Sequence, residues 1–484
     1  MCGIVGYTGS DIAKNILVTG LKRMEYRGYD SSGVALEVGE GAAAHLDVIR
    51  RVGKVAGLES ELSNIDSDAT CGIGHTRWAT HGKPSVVNAH PHTSCDGRIA
   101  IVHNGIIENF AELREELEGR GHRFKSETDT EVFAHLIEEA YAETHDLMAS
   151  VREACTHVVG AYGLAAVCAD EPGVIAVARK DSPIVVGAGE TGAYVASDVI
   201  ALIDATRDVV VLEDGQFAKL TPAGVEYTDE AGNVIEPKVT HIDWDLDMAE
   251  KGGYPDFMLK EIHEQPEALK NTILPRMLDR LPDFRDDGIP DSLFAECSQV
   301  RIIACGTAMH AGMVAKALME PMLRIPVTVS IASEFRYEDP LIDSSTLVIV
   351  ISQSGETIDT LAAMNLAKSL GSVTLSIVNV KGSTIARESD YVLYTHAGPE
   401  IAVASTKAYS VQLAALYMIG CRMALVRGAF GQDEAREFMT DLMDVIPAME
   451  TVIGQSEFIQ SFVRHLIRER DTFFIGRGLD YAFS

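Results

Sequence analysis

At 484 residues the chain exceeds what one hydrophobic core supports, about 250–300 residues, so more than one domain is expected. Hydrophobic residues make up 46% and charged residues 23%, ordinary values for folded globular protein that exclude extended disorder. The formal net charge of -30 is carried by acidic residues spread along the whole chain; it argues against nucleic acid or an anionic membrane as partner and reads as a solvated surface of the kind salt-adapted proteins carry.

From the N-terminus to residue 222 the pattern is β-rich with some helices. Short apolar runs end in turn signals at Val34–Val38, Arg98–Val102, Gly163–Cys168, Gly173–Ala178 and Pro183–Gly187. The run Val209–Leu220 is interrupted at Asp214-Gly215, a hairpin signal. One helix is predicted over Ile107–Gly119, where Leu113 and Leu117 share a face. Residues 223–255 are polar and turn-rich, with no sustained apolar period, and are assigned to a linker.

From about residue 290 the pattern changes to alternating strand and helix. Val300–Cys305, Val327–Ala332, Thr346–Ile351, Val373–Val378 and Tyr391–Tyr394 are the expected strands. The continuous apolar character of Thr346–Ile351 suits a strand buried on both faces. Such alternation predicts a doubly wound parallel sheet over residues 290–430, with its ligand site at the carboxyl ends of the strands. Thr472–Ile475 followed by Gly476-Arg477-Gly478 echoes Arg301–Cys305 followed by Gly306-Thr307. Residues 460–484 are therefore read as the start of a second, truncated copy.

Among the eight cysteines no C-x-x-C pair occurs, which removes the main support for a zinc ribbon or a thioredoxin-like centre. A disulfide framework is not expected in so long and cysteine-poor a chain. No apolar run reaches the ~18 residues of a membrane span, and Asp11 and Lys14 interrupt any signal-peptide core. A cytoplasmic location is expected.

Two segments carry chemistry. Cys2 follows Met1, and removal of the methionine would leave a thiol beside a free α-amine. An α-amine with a pKa of about 7.7–8.0 can take the thiol proton near neutral pH. The bland alternative is an ordinary buried cysteine. The loop Ser352-Gln353-Ser354-Gly355-Glu356-Thr357 lies between a buried strand and a helix. Its hydroxyls and N–H groups suit a phosphate, although the same residues would serve a plain helix cap. It lacks the lysine of a nucleotide-triphosphate loop.

The wider sequence weighs these alternatives. Met1-Cys2-Gly3-Ile4-Val5-Gly6, Glu25-Tyr26-Arg27-Gly28-Tyr29-Asp30-Ser31, Gly74-His75-Thr76-Arg77-Trp78-Ala79-Thr80-His81-Gly82, Val102-His103-Asn104-Gly105-Ile106-Ile107-Glu108-Asn109 and Ser126-Glu127-Thr128-Asp129-Thr130-Glu131 follow one another in order. Together they resemble the class II glutamine amidotransferases. Ala304-Cys305-Gly306-Thr307, Ala332–Tyr337, the Ser352–Thr357 loop and Val403-Ala404-Ser405-Thr406-Lys407 resemble a sugar-isomerase (SIS) domain of the kind fused to such amidotransferases.

The resemblance implies an N-terminal nucleophile (αββα) glutaminase over residues 2–222, in an α+β arrangement, followed by an α/β SIS domain. It makes Cys2 the nucleophile and gives the oxyanion donors to the Asn104 side chain and the Gly105 N–H. Arg77 would take the α-carboxylate of L-glutamine and Asp129 its α-ammonium. Thr80 and His81 would line the pocket, and Trp78 would stand where ammonia leaves. Thr307, Ser352, Gln353, Ser354 and Thr357 would hold the phosphate of D-fructose 6-phosphate, with Val403 and Ser405 near the sugar. Ala308 departs from the pattern, standing where a serine hydroxyl is usual.

The implied reaction yields D-glucosamine 6-phosphate and L-glutamate, the first step of amino-sugar nucleotide synthesis, with ammonia channelled between the sites and a homodimer as the full-length form. No cofactor is implied: the amino donor is ammonia, so pyridoxal phosphate is not needed, and Lys407 is not assigned as a Schiff-base lysine. No metal is implied either, and the cluster His75, His81, His90, His92 fits no zinc spacing. Two rivals stay open. One is another class II amidotransferase, making phosphoribosylamine or asparagine, although no phosphoribosyl pyrophosphate or ATP motif follows residue 290. The other is a truncated fragment that hydrolyses glutamine or binds sugar phosphate without synthase activity.

Overall fold

The computed structural model describes residues 2–25, 28–39, 41–79, 82–242 and 252–483. The chain divides into two compact units, Met1–Leu246 and Asp247–Ser484.

The first unit is built on two antiparallel sheets. One contains β1 (Gly3–Gly9), β2 (Ser31–Val38), β3 (His45–Val52), β4 (Cys71–Arg77), β9 (Val185–Gly189), β10 (Gly192–Ala196), β11 (Asp208–Val211) and β14 (Val239–His241). Its order is β14-β11-β9-β10-β1-β4-β2-β3. The other contains β5 (His92–Thr93), β6 (Ile99–Ile107), β7 (Gly160–Cys168), β8 (Ile175–Lys180), β12 (Phe217–Thr221) and β13 (Gly224–Thr228), in the order β13-β12-β8-β7-β6-β5.

Alternate residues of the two sheets, among them Ile4, Ile73, Val102, Ile175 and Val195, meet in one buried layer. Outside it, α1 (Ala13–Arg23) covers β1 and β4. On the far side, α3 (Phe110–Gly119), α4 (Glu131–Thr144) and α5 (Leu147–His157) cover β6 to β8 through Phe133, Ile137 and Val151. A short α2 (Val55–Leu62) packs beside β3. The layering is helix, sheet, sheet, helix.

Several sequence expectations change here. Ile107 belongs to β6, and α3 starts only at Phe110, because pairing with β7 extends to Ile107↔Gly160. Asp214-Gly215 does turn, with Gly215 at φ 74°, but it does not close a hairpin. β11 pairs in the first sheet and β12 in the second, so the turn is a crossover between layers. β13 and β14 lie inside the stretch read as linker, since β13 closes one edge against β12 and β14 closes the other sheet against β11.

The second unit carries a parallel sheet of β17 (Gln299–Ala304), β18 (Val327–Ile331), β19 (Thr346–Ser352), β20 (Val373–Val378) and β21 (Tyr391–Tyr394), in the order β18-β17-β19-β20-β21. A small ribbon of β15 (Met277–Leu278) and β16 (Leu281–Pro282) precedes it. Along β19 every residue is buried. Leu347, Ile349 and Ile351 face one helical layer, and Val348 and Val350 the other.

The first layer holds α6 (Phe257–Ile273), α7 (Asp291–Glu296), α8 (Gly306–Leu323), α12 (Lys407–Val426) and α13 (Gln432–Ile453). The second holds α9 (Ala332–Phe335), α10 (Ile358–Ser369) and α11 (Thr384–Glu388). Lys407–Val426 is long and apolar enough to cross a membrane, but here it is packed into the core through Val411, Leu416, Met418 and Ile419.

Beyond α13 follow α14 (Ser456–Leu466), with no buried residue, and α15 (Leu479–Phe483). Thr472–Ile475, expected as a strand, is irregular, and Phe473, Phe474 and Ile475 are 86%, 78% and 91% exposed. A strand needs a hydrogen-bonded neighbour, and none pairs with this segment among the described residues.

Candidate functional site

Strand pairing brings the first group together. Gly3 of β1 pairs with Thr76 of β4, and Ser31 of β2 pairs with Arg77. Cys2 therefore stands beside Arg77 and Trp78. The Trp78 N–H donates to Cys2 Sγ at 3.2 Å. From β6, the Asn104 amide Nδ2 donates to the Cys2 carbonyl at 3.1 Å. That contact turns Asn104 Oδ1 toward His75, whose Nε2 lies 3.0 Å from it and 3.1 Å from the His103 carbonyl. Both are acceptors, so Nε2 carries the proton. Burial holds His75 neutral, with a pKa pushed down to about 3.

Gly105 follows at φ 135°, and a Cβ there would lie 2.0 Å from the Ala161 carbonyl oxygen. Only glycine lets the strand end bend past β7 at this point. Asp129 is buried and accepts from the Ile107 N–H at 2.9 Å. The Arg77 guanidinium is also buried and donates to the Gly82 carbonyl at 3.2 Å. Burial draws Arg77 below its usual range, opposed by the nearby Cys2, Asp129 and Asp30. Desolvation pushes the Cys2 thiol up, partly offset by the Trp78 N–H and by Arg77. At neutral pH the resting group is therefore a thiol that needs a base before it can attack.

Trp78 is 39% exposed and meets Tyr29 edge-on at 5.4 Å. Thr80 and His81 lie outside the described residues. His90 and His92 are buried, and burial lowers both well below the usual imidazole range. His90 stacks on His75 at 4.2 Å, and His92 Nε2 contacts Thr128 Oγ1 at 3.0 Å. They form a packed wall behind Asn104 and the Thr128–Asp129 loop.

The second group gathers where the parallel sheet reverses its strand order, between β17 and β19. Thr307 is the second residue of α8, directly after β17. Ser352 ends β19, and its Oγ accepts from the Gly355 N–H at 3.0 Å and contacts Thr357 Oγ1 at 3.2 Å. Ser354 Oγ accepts from the Glu356 N–H at 3.2 Å. The Gln353 carbonyl accepts from Asn379 N–H at 3.1 Å. Hydroxyls and the N-termini of α8 and α10 thus lie at the carboxyl ends of two adjacent strands. That is where doubly wound sheets bind ligands, and helix N-termini favour anions.

Family models match this division of labour: a glutamine amidotransferase domain over residues 75–204 and a SIS domain over residues 293–422. A protein of Streptomyces coelicolor named glutamine--fructose-6-phosphate aminotransferase [isomerizing] is 49% identical over 100% of this chain and 78% of its own length. A namesake from Clostridium acetobutylicum is 47% identical over 100% and 79%. The chain belongs to the glutamine–fructose-6-phosphate aminotransferase family. A solved structure described as the C-terminal domain of glucosamine-fructose-6-phosphate aminotransferase from Francisella tularensis is 38% identical, with a TM-score of 0.47, over 48% of this chain and 65% of its own.

Within this member of the glutamine–fructose-6-phosphate aminotransferase family, sequence reasoning overlooked the residues that hold the others. Asp30 takes the Ala79 N–H on its carboxylate at 2.9 Å and donates its own N–H to the Arg77 carbonyl, which sets the turn carrying Trp78. Its place in the Arg27–Ser31 motif was the available signal. Glu261 accepts from the N–H groups of Ile401 and Ala402 and from the Thr406 hydroxyl. Glu400 accepts from Thr406 and Ala408 N–H and from Ser405 Oγ. These carboxylates shape the loop bearing Ser405 and the exposed Val403, and no motif flagged them. Lys407 is buried, its ammonium held 2.7 Å from Glu264. Ala308 packs into the apolar core.

Proposed function

We propose that the chain converts L-glutamine and D-fructose 6-phosphate to L-glutamate and D-glucosamine 6-phosphate, as the family name describes. The observation that carries the reading is the convergence of Cys2, the Asn104 amide and Gly105 at adjoining strand ends.

In this reading methionine removal frees the Cys2 α-amine, which takes the thiol proton. The thiolate attacks the side-chain amide carbon of glutamine. The resulting oxyanion is held by Asn104 Nδ2–H and Gly105 N–H, donors worth several kcal/mol in a preorganised site. Collapse breaks the C–N bond and releases ammonia, leaving a thioester on Cys2 that water cleaves to glutamate. Arg77 pairs with the α-carboxylate and Asp129 with the α-ammonium, while Thr80, His81 and Trp78 complete the pocket. Ammonia goes to the sugar phosphate, whose phosphate is held by Thr307, Ser352, Gln353, Ser354 and Thr357, with Val403 and Ser405 at the sugar. We further place the protein in the cytoplasm and its active form as a homodimer.

Glutamate release by purified Cys2→Ala tests the assignment. Activity should vanish while the melting temperature stays at the wild-type value. Substantial hydrolysis by that variant would remove Cys2 from the mechanism.

A further inference from the structure

Apart from the group around Cys2, four side chains of the first unit converge. Cys95 lies in the turn between β5 and β6, His122 in the connection from α3 to α4, and His135 and Glu138 one turn apart on α4. One ligand atom from each lies within 4.8 Å of all the others. Cys95 Sγ is 3.6 Å from His122 Nδ1 and 3.7 Å from His135 Nδ1. Glu138 Oε2 is 3.1 Å from each of the same two nitrogens. A tetrahedral zinc with bonds of about 2.3 Å to sulfur and 2.0–2.1 Å to nitrogen or oxygen requires edges of about 3.3–3.6 Å between its ligands. The four distances above, 3.1–3.7 Å, lie close to these edges.

The Nε2 of each imidazole also lies near a carboxylate. His122 Nε2 lies 3.1 Å from Glu139 Oε1, and His135 Nε2 faces Glu131 Oε1 at 3.7 Å. The His122 contact is of hydrogen-bond length and the His135 contact is not; a carboxylate behind the ring is common where the other imidazole nitrogen binds a metal. Without a cation, the Nδ1 atoms of both rings converge on the same Glu138 oxygen, with ring centroids 4.9 Å apart. A single divalent ion would take both nitrogens and the oxygen together.

We propose that Cys95, His122, His135 and Glu138 form a tetrahedral structural zinc site. A set of one thiolate, two imidazoles and one carboxylate suits zinc, and four protein ligands leave no open position for catalysis. The ion would tie the β5–β6 turn to the start of α4. Glu131, behind His135, accepts from the N–H groups of Lys125 and Ser126 and from the Ser126 hydroxyl. The site therefore braces the 125–131 segment that carries Asp129. The C-x-x-C criterion passed over it because its ligands are spread over Cys95 to Glu138, with only His135-x-x-Glu138 closely spaced.

The test uses the full chain, freed of any affinity tag, grown with added zinc and passed through gel filtration without chelator. Elemental analysis should find about one zinc per chain. Cys95→Ser and His122→Ala should each lower that ratio at least tenfold, while Cys305→Ser keeps it. His135 is fully buried and its loss could unfold the unit, so a second measurement uses the wild-type protein. After the metal is stripped, Co(II) should restore the melting temperature and give tetrahedral d–d absorption with a thiolate-to-cobalt charge-transfer band, both absent in Cys95→Ser. Folded wild-type protein with neither zinc nor a cobalt spectrum would overturn the site, as would equal metal in wild type, Cys95→Ser and His122→Ala.

Discussion

Asn104 can act on an oxyanion only if its amide presents nitrogen rather than oxygen toward Cys2, and His75 decides that. Its Nε2–H donates to Asn104 Oδ1, and burial keeps the ring neutral, so the orientation should persist across the working pH range. Asn104→Ala is expected to lower kcat for glutamine hydrolysis by about 10²–10³ with little change in KM, measured by glutamate release. His75→Ala should lower kcat by a smaller factor, because the amide remains but is free to flip. If His75→Ala instead raised KM alone, the positioning role would be misassigned. In the proposed reading Arg77 and Asp129 act on binding rather than on the barrier. Arg77→Ala leaves a carboxylate of the ligand unpaired in a desolvated pocket, a loss of about 2–5 kcal/mol, and glutamine KM should rise at least tenfold.

How far the strands and loops were legible follows from what each is buried against. The five strands of the parallel sheet were readable as apolar runs, because a strand covered on both faces has no polar side to blur the signal; β19 matches this description. The antiparallel sheets were harder. Asp214-Gly215 carries the composition of a hairpin turn, yet composition cannot say whether the next strand pairs locally or joins the facing sheet. The reach of β6 through Gly105 to Ile107 depends on its long pairing with β7, a non-local fact. Cys2 drew notice by its place after Met1, whereas Asn104 and Asp129 were singled out only through their motifs; Glu261, Glu400 and the Cys95 cluster carry no motif.

One inter-sheet contact gives a test of its own. Glu37, near the end of β2, accepts the Gly173 N–H from the β7–β8 turn at 2.7 Å, and burial pushes its pKa up to about 7. A raised carboxyl pKa means that the folded state holds a proton the unfolded chain has released. Stability from this group is complete below about 4.5 and is lost as pH rises through about 7. Glu37→Gln keeps a carbonyl for Gly173 without the buried charge. It should melt above wild type at pH 8 and level with it near pH 4.5; equal melting at both values would count against the buried ionisation.

The acidic excess, 71 Asp and Glu against 41 Lys and Arg, belongs to the molecule as a whole. Two effects of salt oppose each other here. Screening weakens surface pairs such as Lys22–Glu59 and Arg422–Asp291, each worth about 0–1 kcal/mol. Screening also relieves repulsion among a formal excess of 30 negative charges, which compaction holds closer together than the unfolded chain does. The Debye length falls from about 10 Å at 0.1 M to about 3 Å at 1 M, less than the spacing of most surface charges but longer than a contact pair. Repulsion should therefore be relieved more than the pairs are weakened, and Tm should rise by several degrees between these KCl concentrations at pH 7.5. The chain divides into two compact units, so calorimetry should resolve two transitions, and both should move upward. The same titration near pH 4.8, the sequence pI, separates charge repulsion from a general salting-in of structure. With the net charge gone the rise should shrink or reverse, leaving the loss of surface pairs visible. A Tm that falls with KCl at pH 7.5, or rises equally at both pH values, would show that the acidic surface is not what limits stability.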